Sequence, residues 1–75
     1  MPKLPIIKSN ELIKALERLG FFIHRQGSTS HLIMVNNDGK RCIIPIHQGK
    51  DMPKGTLKAI LRDVEISIEE LIANL

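Results

Sequence analysis

The sequence predicts a small α+β domain in the order α-β-β-β-α, with a three-stranded antiparallel sheet and a short C-terminal helix after it. Three observations lead there. Leu12, Ile13, Leu16 and Leu19 fall at i, i+1, i+4 and i+7, which makes one apolar face of a helix. Three runs rich in strand formers then follow at 21–25, 31–35 and 42–46, separated by short polar turns. Helical periodicity returns beyond them, with Leu57, Ile60 and Leu61 opposite Lys54, Lys58 and Arg62.

Each element has its own signals. Pro2 and Pro5 keep the first residues extended. Ser9 is expected to cap a helix over residues 10–19, and Glu11 lies in the first turn, where the helix dipole favours an acid. Gly20 is the expected residue that ends it. The first strand covers residues 21–25, and residues 26–30 read as a turn by composition. The second strand covers 31–35. Asn36-Asn37-Asp38-Gly39 supplies the left-handed backbone of a tight hairpin. Pro45 cannot donate to a ladder, so it belongs near the end of the third strand or on an edge. Residues 47–53 form a loop, and Pro53 fits the start of the second helix. Residues 64–66 break that helix. Ser67 and Glu70 then form a capping box for a last helix, whose apolar face is Ile68, Leu71, Ile72 and Leu75. With so short a chain, the helices must cover one face of the sheet to make a core. No repeat or linker divides the chain, so residues 1–75 read as a single domain.

Composition narrows the function. The single cysteine, Cys42, precludes an internal disulfide, and its apolar surroundings suit a small buried hydrophobe. A reduced cytoplasmic setting is expected. The apolar runs are too short to span a membrane, and the N-terminus lacks the pattern of a signal peptide. Phe21 and Phe22 are the only aromatics, which argues against a sheet that stacks bases on exposed rings. Charge is segregated. Residues 1–62 carry all 11 Lys and Arg against four acids, a net of +7, while residues 63–75 carry four acids and no base, a net of −4. A basic body of this kind suits a polyanionic partner.

Three histidines, His24, His31 and His47, are the candidates for chemistry. None forms an i, i+4 pair with another and no cysteine pair exists, so no metal site is expected. Serines and acids are present, but no nucleophile-elbow motif points to a Ser-His-Asp hydrolase. RNA cleavage needs less machinery, because the 2′-hydroxyl is the nucleophile. A histidine can move the protons, and Lys or Arg can stabilise charge on the phosphate. No cofactor is required.

A set of motifs sharpens this reading. An amphipathic helix runs into Gly20-Phe21-Phe22. Arg25-Gln26 leads to a Gly-Ser…His element. Asp38-Gly39-Lys40 forms a hairpin, and Ile44-Pro45-Ile46-His47 follows it. Then come Met52-Pro53-Lys54-Gly55-Thr56-Leu57 and the closing Ile66-Ser67-Ile68-Glu69-Glu70-Leu71. In this order and spacing the chain resembles the HicA family, the toxin half of HicA–HicB toxin–antitoxin modules. Where the family usually has Gly-Ser-His, this chain has Gly27-Ser28-Thr29-Ser30-His31. Counting back from Asp38-Gly39 puts the family's histidine at His31 and not at His24, with Thr29 in place of the glycine and the turn lengthened by two residues.

The resemblance implies a double-stranded-RNA-binding-domain-like fold. It also implies an endoribonuclease that cleaves mRNA, suppresses translation and is neutralised by a HicB-type antitoxin. On this basis His31 is expected to act as general acid or base, with Ser30 and Thr29 orienting it. Lys50, Lys54 and Lys58 lie before and along the start of the second helix, where dipole and ammonium groups both favour phosphate. Arg25 and Lys8 are further expected RNA contacts, and His47 is the next candidate for a second acid–base group. Two alternatives compete. One is a non-catalytic RNA-binding module. The other is an interaction module that docks on the antitoxin, with the acidic segment 63–75 serving that contact.

Overall fold

A computed structural model describes residues 3–28, 30–47 and 49–75. The elements run α1 (Ser9–Arg18), β1 (Phe22–Ser28), β2 (His31–Val35), β3 (Arg41–Pro45), α2 (Lys54–Val64) and α3 (Ile68–Ala73). The three strands form one antiparallel sheet in the order β1-β2-β3. This is the α+β architecture expected from the pattern of periodicities.

One apolar set holds the layers together. Leu12, Ala15 and Leu16 of α1 and Leu57, Ile60, Leu61 and Val64 of α2 pack with Leu32, Met34, Cys42 and Ile44 of the sheet. Leu71 of α3 is fully buried in the same cluster. The Arg18 guanidinium donates to the Asn74 carbonyl at 2.6 Å, so the last helix is also tied to α1 by a polar contact. Leu32, Met34, Cys42 and Ile44 alternate along β2 and β3, so the helices cover one sheet face. His31, Ile33 and Val35 lie on the other face, opposite Pro45, Ile43 and Arg41.

The start of α1 differs from expectation. Lys8, not Ser9, is the N-cap, and Ser9 is a buried first helical residue. Lysine has no acceptor to offer, so the cap comes from the other direction: the Lys8 N–H donates to Glu11 Oε1 at 2.9 Å. Lys8 is held there by residues distant in sequence. It forms an isolated bridge with Asp51, its Nζ lies 3.2 Å from Asp51 Oδ1, and the Met52 N–H donates to the Ile7 carbonyl at 2.8 Å. The end of α1 is as expected. Gly20 takes φ +97, the Gly20 N–H reaches the Glu17 carbonyl and the Phe21 N–H reaches that of Leu16.

The first strand also differs. It extends to Ser28, so residues 26–28 are strand and not turn. Ser28 pairs with His31, which confines the connection to residues 29–30. The register shifts twice, between Ile23 and Arg25 and between Gln26 and Ser28, so that His24 and Gly27 are bulged. The β2–β3 hairpin is regular. Asn36 Oδ1 accepts from the Asp38 and Lys40 N–H groups at 3.1 and 2.8 Å, and Gly39 takes φ +84. Pro45 ends the edge strand β3, and Pro53 is the N-cap of α2. Ser67 and Glu70 form the expected capping box, with reciprocal bonds of 3.0 and 3.1 Å.

Candidate functional site

His31 opens β2, exposed on the sheet face that the helices leave uncovered. Its neighbours across the sheet are Ser28 on β1 and Pro45 on β3. Ser30 immediately precedes it, and Ser30 Oγ lies 3.2 Å from His31 Nδ1. A hydroxyl can donate to an unprotonated Nδ1 or accept from a protonated one, so this contact persists through a proton exchange at the ring. The Ser30 carbonyl accepts from the Ile46 N–H at 2.7 Å. That bond ties the β1–β2 connection to the residue just before His47.

Ser30, His31 and the segment leaving β3 therefore meet at one end of the sheet. The segment itself is folded back on α1 by the Lys8–Asp51 bridge and by buried Met52. A groove of about 290 Å³ results, lined by Lys8, Ser9, Asn10, Ile13, Ile46, His47 and Gly49. Lys50 is exposed beside a smaller cleft that includes His47, Asp51 and Pro53. The Lys50 N–H donates to the His47 carbonyl at 3.2 Å. The groove thus combines a histidine with the start of α1, where the Lys8 ammonium is paired with Asp51 and the Lys8 N–H is bonded to Glu11.

The remaining expected RNA contacts are spread around this end. Arg25 is exposed on β1 opposite Ile33, on the same face as His31. Lys54 is the exposed first residue of α2, and Lys58 is exposed one turn further along. Both belong to the helical layer, on the other side of the sheet from His31. Thr29, expected to help orient the imidazole, lies outside the described residues. His24 is exposed at a bulge, set apart from the His31 connection along β1.

Asn10, at the start of α1, is a groove residue that sequence reasoning missed. Nothing local marks it, because its position follows from the fold-back of residues 46–53 onto α1. Cys42 is inert by environment. Burial, then Asp63 nearby, push its thiol up to about 11 against a hydrogen bond with the Met34 backbone that lowers it. Among the described residues, no group of three or more His, Cys, Asp or Glu is placed to hold a metal ion. No helix among them is long and apolar enough to cross a membrane.

A family model described as HicA toxin of bacterial toxin-antitoxin matches residues 9–66. The match runs from the first residue of α1 through the end of α2 and takes in the whole sheet. A search of curated proteins returns no match to the chain.

Proposed function

Because the chain belongs to the HicA toxin family of bacterial toxin–antitoxin systems, we propose that it is a cytoplasmic endoribonuclease that cleaves mRNA and thereby suppresses translation. A HicB-type antitoxin neutralises it in this reading. The observation that carries the proposal is the exposed imidazole of His31, with the Ser30 hydroxyl 3.2 Å from its Nδ1.

In the proposed reaction His31 Nε2 removes the proton from a ribose 2′-hydroxyl. The freed oxygen attacks the adjacent phosphorus, the bond from phosphorus to the 5′ oxygen breaks, and that oxygen takes up a proton. The products are a 2′,3′-cyclic phosphate and a 5′-hydroxyl. Neither water nor a metal enters the balance. His47 is the proposed donor to the leaving oxygen, supported by its place beside the segment that Ser30 anchors. Arg25, on the His31 face, and Lys50, Lys54 and Lys58, around the end of the sheet and in the helical layer, are the proposed phosphate contacts, and their exposure suits that role. The fold that presents them is double-stranded-RNA-binding-domain-like.

His31→Ala tests the assignment. The variant is expected to fold normally, to lose growth arrest and to slow RNA cleavage by roughly 10²–10⁴-fold, the usual contribution of a general acid or base. Cleavage at the parental rate would remove His31 from the chemistry, and 3′-hydroxyl ends would exclude the cyclic route. Salt-sensitive RNA binding without cleavage by the parent protein would instead identify a non-catalytic binding module.

A further inference from the structure

The two edges of the sheet are unequal. The β1 edge is bulged at His24 and Gly27, and bulges discourage further strand pairing. The β3 edge is regular over its five residues. Its outward backbone groups follow from the ladder. The Ile46 N–H donates to the Ser30 carbonyl and the Asn36 N–H to that of Lys40, so the even-numbered residues of β3 bond with β2. The backbones of Arg41, Ile43 and Pro45 therefore point away from the sheet. Among the described residues no hydrogen bond reaches their outward groups.

A groove of about 520 Å³ lies along this edge, between β3 and α2. Gly55, Thr56, Ala59 and Asp63 form its helical wall, and Arg41 and Ile43 lie on its strand side. Ile43 is 51% exposed. Neither Arg41 nor Asp63 has an ion-pair partner among the described residues.

We propose that β3 pairs with β3 of a second copy of this chain, antiparallel about a two-fold axis at Ile43, giving a six-stranded sheet. The edge is self-complementary in this register. Ile43 exchanges both of its backbone bonds with the partner subunit's Ile43. The Arg41 N–H donates to the carbonyl of the partner subunit's Pro45, and symmetry repeats that bond. Both outward donors on each edge are satisfied. Proline at position 45 leaves one carbonyl per copy without a donor, which keeps the association limited. The two exposed Ile43 side chains cover each other on the uncovered face.

Charge supports the same partner. Arg41, Cys42 and Asp63 line the same groove, so the end of α2 that carries Asp63 lies beside the start of β3. The two-fold axis brings that end against the start of the partner's α2. That helix has no acid in its first turn and no side-chain cap. Asp63 then faces the positive end of the partner's helix dipole, twice in the dimer. The small residues Gly55, Thr56 and Ala59 let the helices approach.

Sedimentation equilibrium of the 75-residue chain across a range from micromolar to about a millimolar tests this. A reversible monomer–dimer equilibrium is expected. Ile43→Pro removes the outward donor and the exposed side chain at the axis while leaving the β2 ladder intact, and it is expected to weaken the dimer at least tenfold. Pro45→Val restores the missing donor and is expected to tighten it by about tenfold. Asp63→Lys is expected to weaken it. Circular dichroism establishes that each variant is folded. A parent chain that stays monomeric at the highest concentration overturns the proposal. So does a dimer indifferent to both Pro45→Val and Asp63→Lys, whatever becomes of Ile43→Pro.

Discussion

The two longer helices end in the same hydrogen-bond pattern built on different residues, and substitutions at the two ends should differ in outcome. After α1 the left-handed residue is Gly20 at φ +97. After α2 it is Glu65 at φ 57, with the Glu65 N–H bonded to the Arg62 carbonyl and the Ile66 N–H to that of Leu61. A side chain in the left-handed region costs about 1–2 kcal/mol. Replacing glycine with alanine recovers roughly 0.4–1 kcal/mol by restricting the unfolded chain. A Cβ at position 20 meets no heavy atom within 4 Å, so no clash adds to the strain. Gly20→Ala is therefore expected to destabilise the domain by about 1 kcal/mol, a drop in Tm of roughly 4–8 °C for a chain of this size. Glu65→Gly relieves comparable strain but loses the exposed ion pair with Lys40, worth at most about 1 kcal/mol. Its net effect should be small in the parent. It should stabilise by about 0.5 kcal/mol in a Lys40→Ala background, where the pair is already gone. Urea and thermal unfolding followed by far-UV circular dichroism measure both. A Gly20→Ala protein as stable as its parent would refute the account of the α1 terminus.

Other consequences are as direct. Leu71→Ala opens a cavity at a fully buried position and should cost roughly 2–5 kcal/mol, a large share of the stability of so small a domain. Between pH 9 and about 11 the unfolded chain releases the Cys42 proton that the folded chain keeps, so stability should fall as pH rises. Cys42→Ala should flatten that slope in denaturant titrations across this range, and native Cys42 should resist alkylation at pH 8 until the protein is unfolded. If Lys50 and Lys54 each neutralise a phosphate, changing either to Gln should reduce the slope of log affinity against log salt by roughly 0.7 for single-stranded RNA. Asp51→Ala removes an exposed ion pair, so its stability cost should stay below about 1 kcal/mol. If the chain cleaves RNA as proposed, its effect should appear instead in cleavage rate, through the segment that carries His47 and Lys50.

Most of the fold is written in local signals. The Leu12-Ile13-Leu16-Leu19 stripe, Gly20, the Asn36–Gly39 turn, Pro45 and the Ser67–Glu70 box each act within a few residues, and each stands where its chemistry places it. What local reading missed depends on distant partners. Ser9 has the better capping side chain, yet Lys8 is the cap because Asp51 and Met52 hold that stretch from across the molecule. Residues 26–28 have the composition of a turn but become strand because β2 offers them a ladder. Glu65 carries no propensity for a left-handed stop and takes it where the Ile66 N–H closes onto Leu61. Likewise His31 and Ser30 were legible as neighbours in sequence. The groove joining His47 to the start of α1 was not, because it is made by the fold-back of residues 46–53.

The two bulges in β1 have a consequence for how this chain tolerates changes in length. From Ile23 to Ser28 the strand advances five residues while β2, from Met34 to His31, advances three. The surplus is two, and an even surplus leaves the pleat in phase at both ends. Removing His24 and Gly27 together would leave every remaining pair in place and on its side. The Ser28–His31 pair, not the number of residues in β1, sets where the turn ahead of His31 stands. The strand can therefore gain or lose bulged residues while the turn and the packing of Leu32 and Met34 beneath it stay fixed.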